Sequence, residues 1–147
     1  IYKTVKNREV YGGGGITPDI EIQGEPMTNL AMELRRHNTF FNFAVDYMVE
    51  KDHSIDRNFV VDDALMNRFL TYASAHDIKY TEADLDSTRT YIRTVLKSEL
   101  LRTVYGDLEA YKTTIQLDKQ FLEAVALLNR FRSMDELFAH AAAQNKN

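Results

Sequence analysis

The sequence predicts a mainly α fold, with about five or six helices in one compact domain preceded by a short β-hairpin. Three observations carry this. Glycine and proline concentrate before Gln23, and beyond Pro26 there is no further proline and only Gly106 among the glycines. From Thr28 onward, apolar residues recur at offsets of three, four and seven, the spacing of one helix face. The balance of 44% hydrophobic and 27% charged residues over 147 positions suits a chain that buries a core.

The N-terminal part reads as strands. Ile1-Tyr2-Lys3-Thr4-Val5 and Arg8-Glu9-Val10-Tyr11 are β-prone runs separated by Lys6-Asn7, a hairpin-like gap. Ile20-Glu21-Ile22 alternates and predicts a third, short strand. So few strands need a sheet or a helical face to rest on. Their unpaired edges predict a homo-oligomer formed through these strands, or packing against the helices.

The helices follow in order. Thr28 caps the first, whose apolar face runs Leu30, Leu34, Phe41, Val45, Met48, with a break expected at His37-Asn38-Thr39. Residues 51–61 form a connector. Asp62 or Asp63 opens a helix with Leu65, Met66, Phe69, Leu70 and Tyr72 inside. Thr81 with Asp84 forms a capping box for the longest helix, with Leu85, Ile92, Leu96, Leu100 and Val104 as its stripe and Gly106 as its stop. Asp118 caps a helix from Phe121 to Phe131 that is apolar almost all round, and is therefore expected to lie centrally. Ser133 with Glu136 caps the last helix, which carries Leu137 and Phe138, and Gln144-Asn145-Lys146-Asn147 is expected to fray.

The charge argues against several functions. Eighteen Lys and Arg face 22 Asp and Glu, a net charge of -4, whereas a nucleic-acid binder carries a basic excess. No apolar run approaches the length of a membrane helix. Without cysteine there is no disulfide, thiol nucleophile or thiolate metal site. The chain opens at Ile1, without an initiator Met or a signal-peptide pattern, which predicts a processed product or a piece of a longer polypeptide.

The side chains capable of chemistry have structural explanations. His37, His53, His76 and His140 stand at no metal spacing from one another, and the His53/Asp56 pair lacks further ligands. Lys97 and Ser98 are adjacent on a predicted helix and point about 100° apart, so they cannot act as a dyad. Ser74 and Ser87 have no nearby base. Asp62-Asp63 and Glu82, Asp84, Asp86 sit at helix starts, where they complement the dipole. No cofactor or metal is implied. The glycine run Gly12-Gly13-Gly14-Gly15 precedes Thr17-Pro18 and a strand rather than a helix N-terminus, so a backbone role is expected instead of phosphate binding. Phe40-Phe41-Asn42-Phe43 puts aromatics on more than one helix face, so one of them must leave the helix's own core stripe.

Tyr2-Lys3-Thr4, Arg8, Val10 and then Gly13-Gly14-Gly15-Ile16-Thr17-Pro18-Asp19 resemble the late part of the carboxyl-terminal processing (tail-specific) serine peptidases, with Asn7 where that family usually has glycine. The helical continuation, with Leu30, Phe40-Phe41-Asn42-Phe43-Ala44, Tyr47 and Phe69, is similar to the C-terminal extension of members from Bacteroidetes-like envelopes. The resemblance implies that residues 1–25 are the terminal strands and Gly-Ile-x-Pro-Asp segment of the peptidase core. It gives Gly14, Gly15, Ile16, Pro18 and Asp19 a structural role there. Residues 26–147 would then be a helical C-terminal domain. The family's nucleophilic Ser and its Lys base precede this segment, so no catalytic residue is carried over. The implied role is non-catalytic: substrate docking, assembly or shielding of the cleft in an envelope, periplasmic serine peptidase. Its partners would be the upstream peptidase domain and protein or peptide substrates. The alternative is a free-standing helical interaction module with an aromatic groove around Phe40 or Phe43 that binds a partner helix.

Overall fold

The computed structural model describes residues 1–5, 9–10, 12–13 and 18–144. Among them are two short strands, β1 (Tyr2–Lys3) and β2 (Glu9–Val10), and seven α-helices: α1 (Asn29–Arg36), α2 (Thr39–Glu50), α3 (Asp63–Ala75), α4 (Glu82–Tyr105), α5 (Asp107–Thr114), α6 (Lys119–Arg130) and α7 (Met134–Gln144). A 3-10 turn, Ile115–Leu117, follows α5. The fold is mainly α, as the periodicity predicts. By contacts the chain forms two units, Gly24–Lys119 on one side and Ile1–Gln23 with Gln120–Asn147 on the other.

In the Gly24–Lys119 unit, α1, α2 and α5 all pack on α4, the longest helix. Thr28 caps α1 by accepting from the Ala31 N–H at 3.2 Å, and its hydroxyl meets that of Thr88 at 2.7 Å, which ties the start of α1 to α4. Asn38, at φ 51°, supplies the left-handed residue that ends α1, and its carbonyl accepts from Asn42 N–H as α2 begins. Asp62 caps α3 through the Leu65 N–H at 2.8 Å. Helices α2 and α3 close alike. Asp52 and Asp77 take positive φ, and the next residue donates back over the turn, His53 N–H to Met48 O at 2.9 Å and Ile78 N–H to Ala73 O at 3.1 Å.

The core is aromatic at its centre. Phe69, with no exposure, stacks on Phe40 at 5.0 Å between centroids and receives Phe43 edge-on at 5.3 Å. Leu34, Met48, Met66, Ile92, Leu96 and Leu100 are among the fully buried side chains around it.

The α4 capping box forms as predicted. Thr81 N–H donates to the Asp84 carboxylate at 2.9 Å, and the Thr81 hydroxyl accepts from Asp84 N–H at 3.2 Å. Hydrogen bonds from the Thr81 side chain and backbone hold the Asp84 carboxyl below its ordinary range. Its folded pKa is thus lower than its unfolded one. The resulting stability is complete above the unfolded value and is lost as pH falls through the folded value. Asp84→Asn is therefore expected to be less stable than the parent at neutral pH. The gap should close below about pH 4, measured by urea denaturation at several pH values. A gap that stays constant with pH would refute this role.

Several expectations are corrected. Phe41 and Val45 lie outside the core face: they are exposed, while Leu30, Leu34, Phe40, Phe43 and Met48 are buried. The left-handed turn at Asn38 re-phases the helix, so an offset counted across it no longer marks one face. An aromatic groove around Phe40 or Phe43 is ruled out because both rings are core. Val104 at the end of α4 is exposed, with Leu101 taking the last buried place. Gly106 does stop α4, but α5 starts at once and was not anticipated.

In the other unit, Tyr2 pairs with Val10 and Lys3 with Glu9, antiparallel. The connection is therefore residues 4–8 rather than a two-residue gap at Lys6-Asn7, and residues 6–8 lie outside the described residues. Ile20–Ile22 is not a strand, and the Ile22 carbonyl accepts from the Gln120 side chain at 3.0 Å instead of joining a ladder. Helix α6, expected to lie centrally, buries no residue, and Phe121, Leu122, Val125 and Leu128 keep substantial exposure. Apolar residues around a helix permit burial on every side but cannot supply the neighbours that would achieve it. At α7, Ser133 Oγ accepts from Glu136 N–H at 3.3 Å, while the Glu136 carboxylate reaches Arg132 N–H at 3.0 Å, one residue further back than a capping box requires. Of Gln144-Asn145-Lys146-Asn147, expected to fray, Gln144 closes α7 and residues 145–147 lie outside the described residues.

Candidate binding cleft

The candidate site is a cleft of about 590 Å³ between the connector after α2, the middle of α4, and α5 with its 3-10 turn. Each wall has a local cause. The connector ends where Asp62 caps α3, which fixes Val60 and Val61 at the rim, Val61 buried and Val60 69% exposed. On α4, Arg93, Lys97 and Leu101 share one side by their spacing of four. Gly106 turns the chain so that α5 brings Glu109 and Lys112 to the opposite wall.

The cleft is cationic on a protein of net charge -4. Arg57, Arg93, Lys97 and Lys112 line it against the single carboxylate of Glu109. Three of these cations are already engaged. Arg57 lies over the Tyr105 ring at 4.7 Å and pairs with Glu109 at 3.4 Å. Arg93 donates to the Val61 carbonyl and pairs with Asp63. Lys112 Nζ donates to Glu109 at 2.7 Å, and this bond chiefly holds the Glu109 carboxyl below its ordinary range. Glu109 is thus charged at neutral pH and offsets one positive charge. Lys97 is half-buried and has no hydrogen bond or ion pair among the described residues.

Ser98, next to it, points the other way, buried with its hydroxyl donating to the Ala110 carbonyl at 3.0 Å. The two side chains are separated as the helical spacing predicts, and Ser98 fastens α5 to α4 instead. Of the histidines, His37 pairs with Glu33 at 3.5 Å, His76 stacks on the Tyr72 ring at 4.1 Å, and His140 lies against Phe131 at 5.0 Å. His37 and His76 share a hollow of about 290 Å³ with Thr39 and Asn42. Among the described residues no group of three His, Cys, Asp or Glu could hold a metal ion, and no helix is long and apolar enough to cross a membrane.

Of the motif residues, Gly14, Gly15 and Ile16 lie outside the described residues, and Pro18 and Asp19 are exposed. The Tyr2 ring covers Gly12 so closely that an added Cβ would run into it, and Gly13 takes φ 100°. These are the backbone tasks expected of such glycines. No cleft residue could be singled out from sequence, because the lining comes from three elements spread over residues 57–116. Only the lack of an (i, i+4) acid for Lys97 (Arg93 stands before it, Leu101 after) hints that its charge is uncompensated.

Fold and cleft together define a mainly helical chain with a basic, partly apolar cleft. Residues 30–106 match a family of unknown function (DUF8443), and the chain belongs to that family. The match ends at Gly106, so the α5 wall of the cleft lies beyond it. No curated protein and no solved structure matches the chain.

Proposed function

We propose that the chain is the non-catalytic C-terminal region of a carboxyl-terminal processing serine peptidase of the bacterial envelope, periplasmic, with the helical unit serving to dock protein or peptide substrates. The observation that carries this is the run from Tyr2-Lys3-Thr4 through Arg8 and Val10 to Gly13-Gly14-Gly15-Ile16-Thr17-Pro18-Asp19. The hairpin is consistent with it. Two paired strands are marginal alone, and Ile1, Tyr2 and Val5 expose apolar side chains that a larger sheet would cover. The domain division at residue 25 and the structural role of Gly14, Gly15, Ile16, Pro18 and Asp19 belong to the same reading. Sizing the native polypeptide tests it. A species several-fold above 17.0 kDa, with peptides upstream of Ile1 that carry a Ser and a Lys in that family's motifs, is the expected result. A native species near 17 kDa overturns it and favours the alternative, a helical interaction module. That second reading draws support from Phe41, Val45 and Val49, which form an exposed (i, i+4, i+8) stripe on α2.

A further inference from the structure

We infer that the cleft at Arg57, Val60, Lys97 and Lys112 is a docking site for an acidic peptide segment, one that alternates carboxylate and apolar side chains. This goes beyond the peptidase reading and does not depend on it, since it stands on the cleft alone.

Three features choose this ligand. The first is volume: about 590 Å³ accommodates a few residues of extended chain. The second is the state of the cations. A phosphate is held best by guanidinium forks, but Arg93 is spent on Val61 O and Asp63, and Arg57 on Tyr105 and Glu109. The unspent charge is the Lys97 ammonium, a rotatable point charge that accepts a carboxylate at many angles. The third is the apolar part. Val60, exposed, lines the same cleft as Lys97, as do buried Val61 and Leu101, so an apolar side chain next to the carboxylate has a surface to cover. Nucleic acid fits poorly, because no aromatic ring lines the cleft for a base to stack on and the whole chain is acidic.

Lys97 is decisive because it has no other duty. Its removal breaks no pair among the described residues, so a change in binding reports the cleft rather than the fold. The probe is a short fluorescein-labelled peptide alternating glutamate and leucine, titrated with the full chain and read by fluorescence anisotropy. Saturable binding is expected, weakening as salt rises. Lys97→Glu should weaken it at least tenfold and Lys97→Gln by less, with melting temperatures unchanged. A glutamine–leucine peptide should bind at least tenfold more weakly. The inference is overturned if the glutamate–leucine peptide does not bind, if Lys97→Glu and Lys97→Gln both bind it as the parent does, or if the glutamine–leucine peptide binds equally well. Displacement of the bound peptide by low millimolar inorganic phosphate would also overturn it, by showing a site for small anions.

Discussion

Phe69→Ala is expected to lower the unfolding free energy by about 3–5 kcal/mol. Phe69 has no exposed surface, stacks on Phe40 and takes the edge of Phe43. Truncation therefore removes its own transfer free energy and both ring contacts. The resulting void is walled by Phe40 and Phe43 of α2, a helix that packs on α4, so collapse cannot fill it cheaply. At roughly 2–4 °C per kcal/mol for a chain of this size, the melting temperature should fall by about 10 °C. The control lies on α2, the helix that carries Phe40 and Phe43. Phe41→Ala removes an equal ring that is 56% exposed, and its effect is expected within about 0.5 kcal/mol. Urea denaturation followed by far-UV circular dichroism compares the two. Equal losses would mean that α2 presents a different face to the core.

Gly106→Ala is the second large effect, at about 1–3 kcal/mol. Gly106 lies at φ 79° and ψ -177°, a conformation that is essentially restricted to glycine. There is open space around its absent Cβ, so the cost comes from the backbone and not from a clash. Its N–H donates to Arg102 O at 2.9 Å as α4 ends, and its carbonyl accepts from Ala110 N–H at 3.4 Å as α5 starts. Forcing another φ would therefore shift α5, and with it Glu109 and Lys112. Both stability and peptide binding should drop. Gly24→Ala, at a glycine with no positive φ and no near neighbour, should leave both unchanged. If Gly106→Ala lost stability while peptide binding stayed intact, α5 would not be a wall of the site.

Much of the fold was legible because its signals are local. Thr28, Asp62, and Thr81 with Asp84 each announce a helix start through a hydrogen bond that spans three residues. The break at His37–Thr39 was legible from residues that compete for the backbone. Helix α5 was hidden because Gly106 reads the same whether the chain turns into a loop or into another helix. The side of α2 that faces the core was misread across that break, since a single left-handed residue resets the phase. The Schellman closures at Asp52 and Asp77 were equally hidden, because aspartate takes positive φ more readily than most residues yet does so at only a few of its positions.

The cleft was illegible for a different reason. Arg57, Lys97 and Lys112 become neighbours only after α4 and α5 have packed. By itself the sequence determined the mainly α class, the helix starts and the overall charge, because each depends on residues within a turn of one another or on composition alone. The tertiary structure decided which aromatic is core and which is exposed, that α6 buries no residue, and that Lys97 in the cleft has no counter-charge among the described residues. Each of these depends on which surfaces meet, and burial and ion pairing are properties of two elements in contact that neither carries alone.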